Sequence, residues 1–207
     1  MSNDIRQKAH TVSSGRPDPD ALFRIAEGQA GYFATWQAAE AGYSRSLVAH
    51  HAGTGVFERT ATGVYRLSRY PASDMEDLFR AWLLLGPTAV ISHESALAVY
   101  GLSGLVPGEI HATVPRSASR RRTGIRLHTA ALASEDVASR EGLPVTTVER
   151  TLLDVTRTGV SPEMVEQAVR DALEHGLTDA ERLMRAAAGA SARTRRILSR
   201  AISAVPQ

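Results

Sequence analysis

Ser92-His93-Glu94-Ser95 sets an imidazole beside a carboxylate and between two hydroxyls, the side-chain set of a general base with a nucleophile. Sequence adjacency does not create that geometry, and a serine followed by an acidic residue equally marks a helix start. No catalytic residue is therefore assigned. His111 and His128 fall in two alternating runs and could face each other across neighbouring strands as a metal pair. Paired surface imidazoles are the commoner outcome, and no metal site is assigned. Gly101, Gly104 and Gly108 could cradle a phosphate, but the Lys and Ser/Thr of a P-loop are missing, as is a strand leading into a helix. Turns explain these glycines. No cofactor site follows, and any kinase-like activity would have to be atypical. The absence of cysteine excludes disulfides, thiolate catalysis and cysteine-ligated zinc, and fits a reducing compartment.

Two sets of cations suit charged partners rather than bond chemistry. Arg116, Arg120, Arg121, Arg122 and Arg126 form the densest basic run, suited to an acidic protein surface or to nucleic-acid phosphate, although a solvated hairpin tip would look the same. Further upstream, a helical period leaves Ser44, Arg45, Ser46, Ala49 and His50 on the face opposite Leu47 and Val48, with Arg59 and Arg66 on a following ribbon. Such a face enters a DNA groove with its N-terminal residues nearest the base edges, while the ribbon meets phosphate.

These residues depend on the elements that present them. Tyr32 to Leu67 reads as a short helix with Thr35 as its N-cap, a tight turn at Gly42, a second helix capped by Ser44, and a two-stranded ribbon turning at Thr60 to Gly63. That order is a winged helix-turn-helix. Asp18-Pro19 starts its first helix through Leu22, Phe23, Ile25 and Ala26, behind a polar arm over residues 1–17. The winged domain covers 18–70, and Pro71-Ala72 separates it from a second domain over 73–207. There Ser73 with Glu76 makes a capping box for a helix carrying Leu78, Phe79, Trp82 and Leu85. Ile110 to Val114 and Ile125 to Thr129 alternate as strands, and PRSASRRRTG between them suggests a hairpin with a basic loop. Leu143 to Val145 is a third strand. Thr146 with Glu149, and Thr178 with Glu181, are capping boxes for helices, Ser161-Pro162 starts another, and a last helix runs from Ser191 through Ile202. The expected class is α+β: an N-terminal winged helix-turn-helix, then a mixed domain with a small β-sheet and a helical C-terminal half.

With 43% hydrophobic and 22% charged residues in 207, the chain can build two modest cores, and its formal charge of +2 permits nucleic acid as a partner without requiring it. An apolar leader is missing, and no run approaches the ~20 apolar residues of a membrane span, which predicts a cytoplasmic protein without membrane contact.

The order of segments resembles the AbiEi-type antitoxins of bacterial toxin-antitoxin systems whose toxins are nucleotidyltransferases. The resemblance spans most of the chain and is carried by the Tyr32 to Leu67 module, AVISHESALAVYGL from Ala89, IHATVPR from Ile110, GIRLHTA from Gly124 and LPVTTVERTLLDV from Leu143. It implies an N-terminal domain that binds a palindromic or repeated operator and represses the antitoxin-toxin operon, and a C-terminal domain that neutralises the toxin. The implied partners are the cognate nucleotidyltransferase toxin and operator DNA, with a monomer in solution and cooperativity on DNA both open. Some proteins that share the first two-thirds continue into a nuclease-like domain with spaced carboxylates and a Lys or Gln. The helical tail here offers no such set. Neutralisation stays open between direct binding, substrate competition and covalent modification of the toxin such as atypical phosphorylation. A plain winged-helix transcriptional regulator sensing a ligand is the remaining alternative.

Overall fold

The computed structural model describes residues 16–104, 106–118 and 122–204. The chain divides into two compact units, one ending at Leu84 and the other beginning at Leu85.

In the first unit Asp18 caps helix α1 (Pro19–Glu27) by accepting a hydrogen bond from Ala21 N at 2.9 Å, and the helical spacing turns Leu22 and Ala26 inward. Strand β1 (Tyr32–Ala34), helix α2 (Thr35–Glu40), helix α3 (Arg45–Gly53) and strands β2 (Phe57–Ala61) and β3 (Val64–Leu67) follow. The strands form an antiparallel sheet in the order β1-β3-β2, with Phe33 opposite Tyr65 and Phe57 opposite Leu67. The expected two-stranded ribbon thus gains a third strand, because Tyr32, Phe33 and Ala34 are all buried. Phe33 is the hub of the core: it meets Phe57 edge-on at 4.9 Å between ring centroids and stacks on Tyr65 at 5.9 Å.

The tight turn between α2 and α3 has Gly42 at φ 81°, a conformation that glycine adopts without steric cost. Ser44 caps α3, its Oγ accepting from Leu47 N at 3.2 Å. Thr35, expected as the cap of α2, is instead its first helical residue. Ala34 holds the cap position, and the Gln37 side chain accepts from Ala34 N at 2.9 Å.

Helix α4 (Glu76–Leu85) belongs, but for its last residue, to the first unit, whereas the sequence reading assigns it to the second domain. The physical reason is Glu76. It accepts from Ser73 N, takes a hydrogen bond from Tyr32 Oη at 3.2 Å and lies 3.6 Å from Arg66, so the start of α4 is tied to β1 and β3.

The second unit is built on a mixed sheet of β4 (Val90–Ile91), β5 (Ile110–Val114), β6 (Ile125–Thr129), β7 (Val137–Arg140) and β8 (Leu143–Thr146), in the order β6-β5-β4-β8-β7. β5 and β6 run parallel, with Ile110 beside Ile125 and Val114 beside Thr129, so the segment between them is a return crossing and the expected hairpin is corrected. Alternation determines which side chains share a face and leaves strand direction open. Helices α5 (His93–Tyr100), α6 (Val148–Val155), α7 (Pro162–Glu174), α8 (Ala180–Ala186) and α9 (Ala192–Ser203) complete the unit.

Two expected caps move by one residue. Thr147 rather than Thr146 caps α6, and Asp179 rather than Thr178 caps α8. The displaced hydroxyls have buried partners: Thr146 Oγ1 pairs with Thr151 Oγ1 at 2.7 Å, and Thr178 Oγ1 donates to Glu149 Oε1 at 2.7 Å. Satisfying a buried hydroxyl outweighs a solvent-side cap, since an unpaired buried polar group costs about 1–3 kcal/mol. Among the described residues no helix is long and apolar enough to cross a membrane.

Candidate functional site

On α3 the burial pattern separates two faces. Val48 is buried and Leu47 half-buried, while Ser44, Arg45, Ser46, Ala49 and His50 are all exposed. Ser44 Oγ also lies 2.9 Å from Ser46 Oγ, which ties together the first turn of the exposed face. Arg59 is exposed on β2. Arg66 differs from its expected place at the surface of the ribbon. Its guanidinium donates to Tyr70 O at 2.6 Å, lies 3.6 Å from both Glu58 and Glu76 and packs 5.9 Å from the Tyr32 ring centroid, leaving the side chain 14% exposed. It is a clasp between β3 and the segment leading into α4.

In the second unit the basic run does not sit at a hairpin tip. Arg116 opens a turn of 3₁₀ helix (Arg116–Ala118) and is exposed, Arg122 is half-buried at a bridge to Ile125, and Arg126 is exposed on the edge strand β6. Arg120 and Arg121 lie outside the described residues. A further set of arginines escaped the sequence reading. Arg182 and Arg185 on α8, and Arg193, Arg196 and Arg200 on α9, are all exposed. Arg193, Arg196 and Arg200 recur at helical spacing opposite the buried Thr194, Leu198 and Ala201, a signal present in the sequence. Some are already engaged: Arg182 pairs with Glu149 at 3.0 Å, Arg200 with Glu166 at 3.1 Å, and Arg185 with Glu181.

The histidines found by spacing do come together. His93 opens α5 at φ 54°, a left-handed conformation rare for a residue with a Cβ. Its ring stacks on that of His128 with centroids 3.5 Å apart, and its Nδ1 is 2.9 Å from Ser92 Oγ. Ser92 Oγ accepts from Thr113 Oγ1 at 2.8 Å, and the imidazole tautomer sets which of Ser92 and His93 donates to the other. His111 contacts Glu94 through Nδ1, which is also 3.4 Å from His128 Nε2, and its backbone N donates to Ser95 Oγ at 2.8 Å.

Burial, then the neighbouring His128, pushes the His93 imidazole down to about 3. Burial, then His111, pushes His128 down to about 4. Burial alone would raise Glu94, but the hydrogen bond from His111 and a backbone bond at the helix start hold it below the usual carboxylate range. Ser92 and His93 lie within hydrogen-bond distance of each other, as a nucleophile and base would, but in a buried setting that lowers the imidazole. The hydroxyl is fully buried, and a base with a pKa near 3 takes up little proton at neutral pH. Among the described residues no group of three or more His, Asp or Glu is arranged to hold a metal ion.

A second, half-buried network lies on α6. Arg150 donates to Asp154 Oδ2 at 2.9 Å and to Asp136 Oδ2 at 2.7 Å, joining the helix to the turn before β7. The i, i+4 spacing of Arg150 and Asp154 foreshadows the first contact. The second is a tertiary contact that sequence could not supply.

The chain thus has two parts, a small helical unit with a three-stranded sheet and an α+β unit that holds the histidine cluster and exposes arginines on α8 and α9. The chain belongs to the AbiEi antitoxin C-terminal domain family, whose model matches residues 88–202, and it is thereby an antitoxin of a toxin-antitoxin system with a cognate toxin as partner. Among solved structures the fold is similar to the crystal structure of RV2827C protein from Mycobacterium tuberculosis. That similarity has a TM-score of 0.51 and 19% identity, and covers 93% of this chain and 80% of that one. No curated protein matches the chain.

Proposed function

We propose that this antitoxin neutralises a nucleotidyltransferase toxin through its C-terminal unit and represses its own operon through its N-terminal unit, acting in the cytoplasm. The N-terminal unit is read as a winged helix-turn-helix: α2, the Gly42 turn and α3 form the helix pair, and β2 with β3 the wing. The observation that carries the reading is the exposed face of α3, where Ser44, Arg45, Ser46, Ala49 and His50 stand clear of the core while Ser44 holds the first turn. That turn is the part of a recognition helix that meets base edges, and the exposed Arg59 on β2 is the side chain proposed to meet phosphate. Mobility shift of the promoter fragment upstream of the gene, against an unrelated fragment of equal length, tests it. Equal retardation of both fragments at every salt concentration would overturn sequence-specific repression.

For neutralisation the favoured mode is binding by charge. In this reading Arg116, Arg120, Arg121, Arg122 and Arg126 are the arginines that would meet the carboxylate rim of a nucleotidyltransferase or the path of its nucleic-acid substrate. For covalent modification of the toxin, Ser92 and His93 are the hydroxyl and imidazole in contact, and their burial with the lowered imidazole weighs against chemistry through that pair. Mixing purified toxin and antitoxin with and without ATP separates the two. A mass shift on the toxin that requires ATP would replace binding with chemistry.

A further inference from the structure

The first unit contains a cavity of about 510 Å³ walled by Phe23 of α1, Tyr43 at the entry to α3, Leu47 and His51 of α3 itself, and Val56 and Phe57 where β2 begins. The volume falls within the ~300–1,000 Å³ range of small-molecule sites, which combine an apolar wall with a few polar groups. Three of the walls are rings set against one another: between centroids, His51 lies 5.1 Å from Phe57 and 6.0 Å from Tyr43, and Tyr43 lies 6.2 Å from Phe57. Phe23 adds a fourth ring, 48% exposed, and Val56 is 52% exposed. Two of the four large apolar side chains that stay exposed among the described residues thus border one cavity, where a single occupant would cover both.

Its polar groups are few and unengaged. Tyr43 is only 7% exposed, yet its hydroxyl has no hydrogen-bond partner among the described residues. A tyrosine this buried ordinarily has one, so the hydroxyl is a bond left to be made. Burial, then the Asp18 carboxylate, raises its phenol above the ordinary 10, which keeps it a donor at neutral pH. The half-buried His51 ring likewise has no hydrogen bond among the described residues. Arg16 is in the lining but exposed, so water competes for its charge, and the buried contacts are those of rings and a neutral hydroxyl.

We infer that this cavity binds a neutral, flat aromatic molecule carrying a hydroxyl, its ring seated among Phe23, Tyr43, His51 and Phe57 and its oxygen on the Tyr43 hydroxyl. Aromatic rings favour stacked or edge-on contacts that a saturated ring does not make. Leu47 and His51 lie on the side of α3 away from Arg45 and Ala49, so an occupant bears on the back of the helix that the DNA-binding reading uses. That consequence rests on that reading; the binding itself does not.

The test uses the full chain and three probes: 2-naphthol, which has ring and hydroxyl, naphthalene, which has the ring alone, and cyclohexanol, which has the hydroxyl alone. In calorimetric titration 2-naphthol should saturate a single site, naphthalene should bind about ten-fold more weakly, and cyclohexanol should not saturate. Tyr43→Phe keeps the ring and removes the hydroxyl, so it should weaken 2-naphthol about ten-fold and leave naphthalene within about two-fold. Phe23→Ala should weaken both about five-fold or more. Met184→Ala, which trims an exposed apolar side chain of the second unit, should change neither. Binding of 2-naphthol that does not saturate, or that either cavity variant leaves unchanged while near-ultraviolet dichroism shows a native fold, overturns the inference. So does a dimer in sedimentation equilibrium that Phe23→Ala dissociates, because the cavity is then the seat of a second copy of the chain. If Tyr43→Phe does not fold, Phe23→Ala decides alone, because that residue is exposed and its loss leaves the core intact. Promoter retardation with and without 2-naphthol separates the two readings: a chain that binds 2-naphthol but no promoter keeps this inference and loses the DNA-binding one, and the reverse result loses this inference alone.

Discussion

His93 and His128 lie face to face, 3.5 Å between ring centroids and 13° between planes, with His93 buried and His128 half-buried in the second unit. Two imidazoles at that separation cannot both carry charge, and burial holds each neutral: His93 is lowered to about 3 and His128 to about 4 from the ordinary 6.5. Because folded pKa values lie below the unfolded one, the unfolded chain binds protons first as pH falls. The stabilising contribution is whole above about 6.5 and is lost on the way down, to about 4 for His128 and about 3 for His93. For His93 alone the slope approaches about 1.4 kcal/mol per pH unit within that window. Urea unfolding between pH 7.5 and 4.5 should show it. His93→Asn, which tolerates positive φ, should flatten the curve; an equally steep curve would remove His93 from the account.

Arg66 and Arg59 lie on neighbouring strands but should behave in opposite ways. Arg66 is committed to Tyr70 O, Glu58 and Glu76, so Arg66→Ala should cost about 1–3 kcal/mol of stability through the partners it leaves unpaired. Arg59 is exposed, and Arg59→Ala should leave the melting temperature unchanged within about a degree while weakening DNA binding evenly across sequences and reducing its salt slope by about one. Thermal melts and salt titrations of both variants distinguish them. A destabilised Arg59→Ala beside a native-like Arg66→Ala would reverse the assignment.

Arg45 should affect sequence preference. It is the one arginine on the exposed face of α3, in the first turn where base edges would be read, and a side chain that reads a base is worth about 1–3 kcal/mol of discrimination. Arg45→Ala should therefore lower operator affinity about ten-fold or more and leave binding to unrelated DNA nearly intact. A uniform loss on both would make Arg45 a phosphate contact.

The parts legible in sequence are those governed by local rules. Asp18 and Ser44 cap the helices they were expected to cap, Ser161 and Ser191 stand where helices were expected to start, and the alternating runs around Ala112 and Leu127 are strands at the expected bounds. The readings that moved turn on tertiary contacts. Thr146 and Thr178 look like caps until a buried Thr151 and Glu149 compete for their hydroxyls. A surface arginine at position 66 becomes a clasp once Glu76 and Tyr70 arrive beside it. The histidines were visible as residues, but their cluster was not: parallel pairing of β5 and β6 brings His128 to His111, and positive φ at His93 goes with the ring that lies against His128.

The two arginine-rich surfaces of the second unit offer separate tests of how the toxin is held. If the segment around β5 and β6 meets the acidic rim of a nucleotidyltransferase, reversing Arg120, Arg121 and Arg122 to Glu should turn steering attraction into repulsion. Association should then slow about ten-fold or more at low salt, and the usual loss of rate with added salt should flatten or invert. Dissociation should change less if these charges steer encounter rather than hold the packed contact. Reversing Arg193 and Arg196 on α9 should leave both rates near those of the parent. These two are exposed, so their reversal should also leave the fold intact. Surface-based kinetics with the purified toxin at two salt concentrations reads all four quantities. The opposite pattern, slow association only when α9 is reversed, would move the contact to the C-terminal helices and leave Arg116, Arg122 and Arg126 to other work.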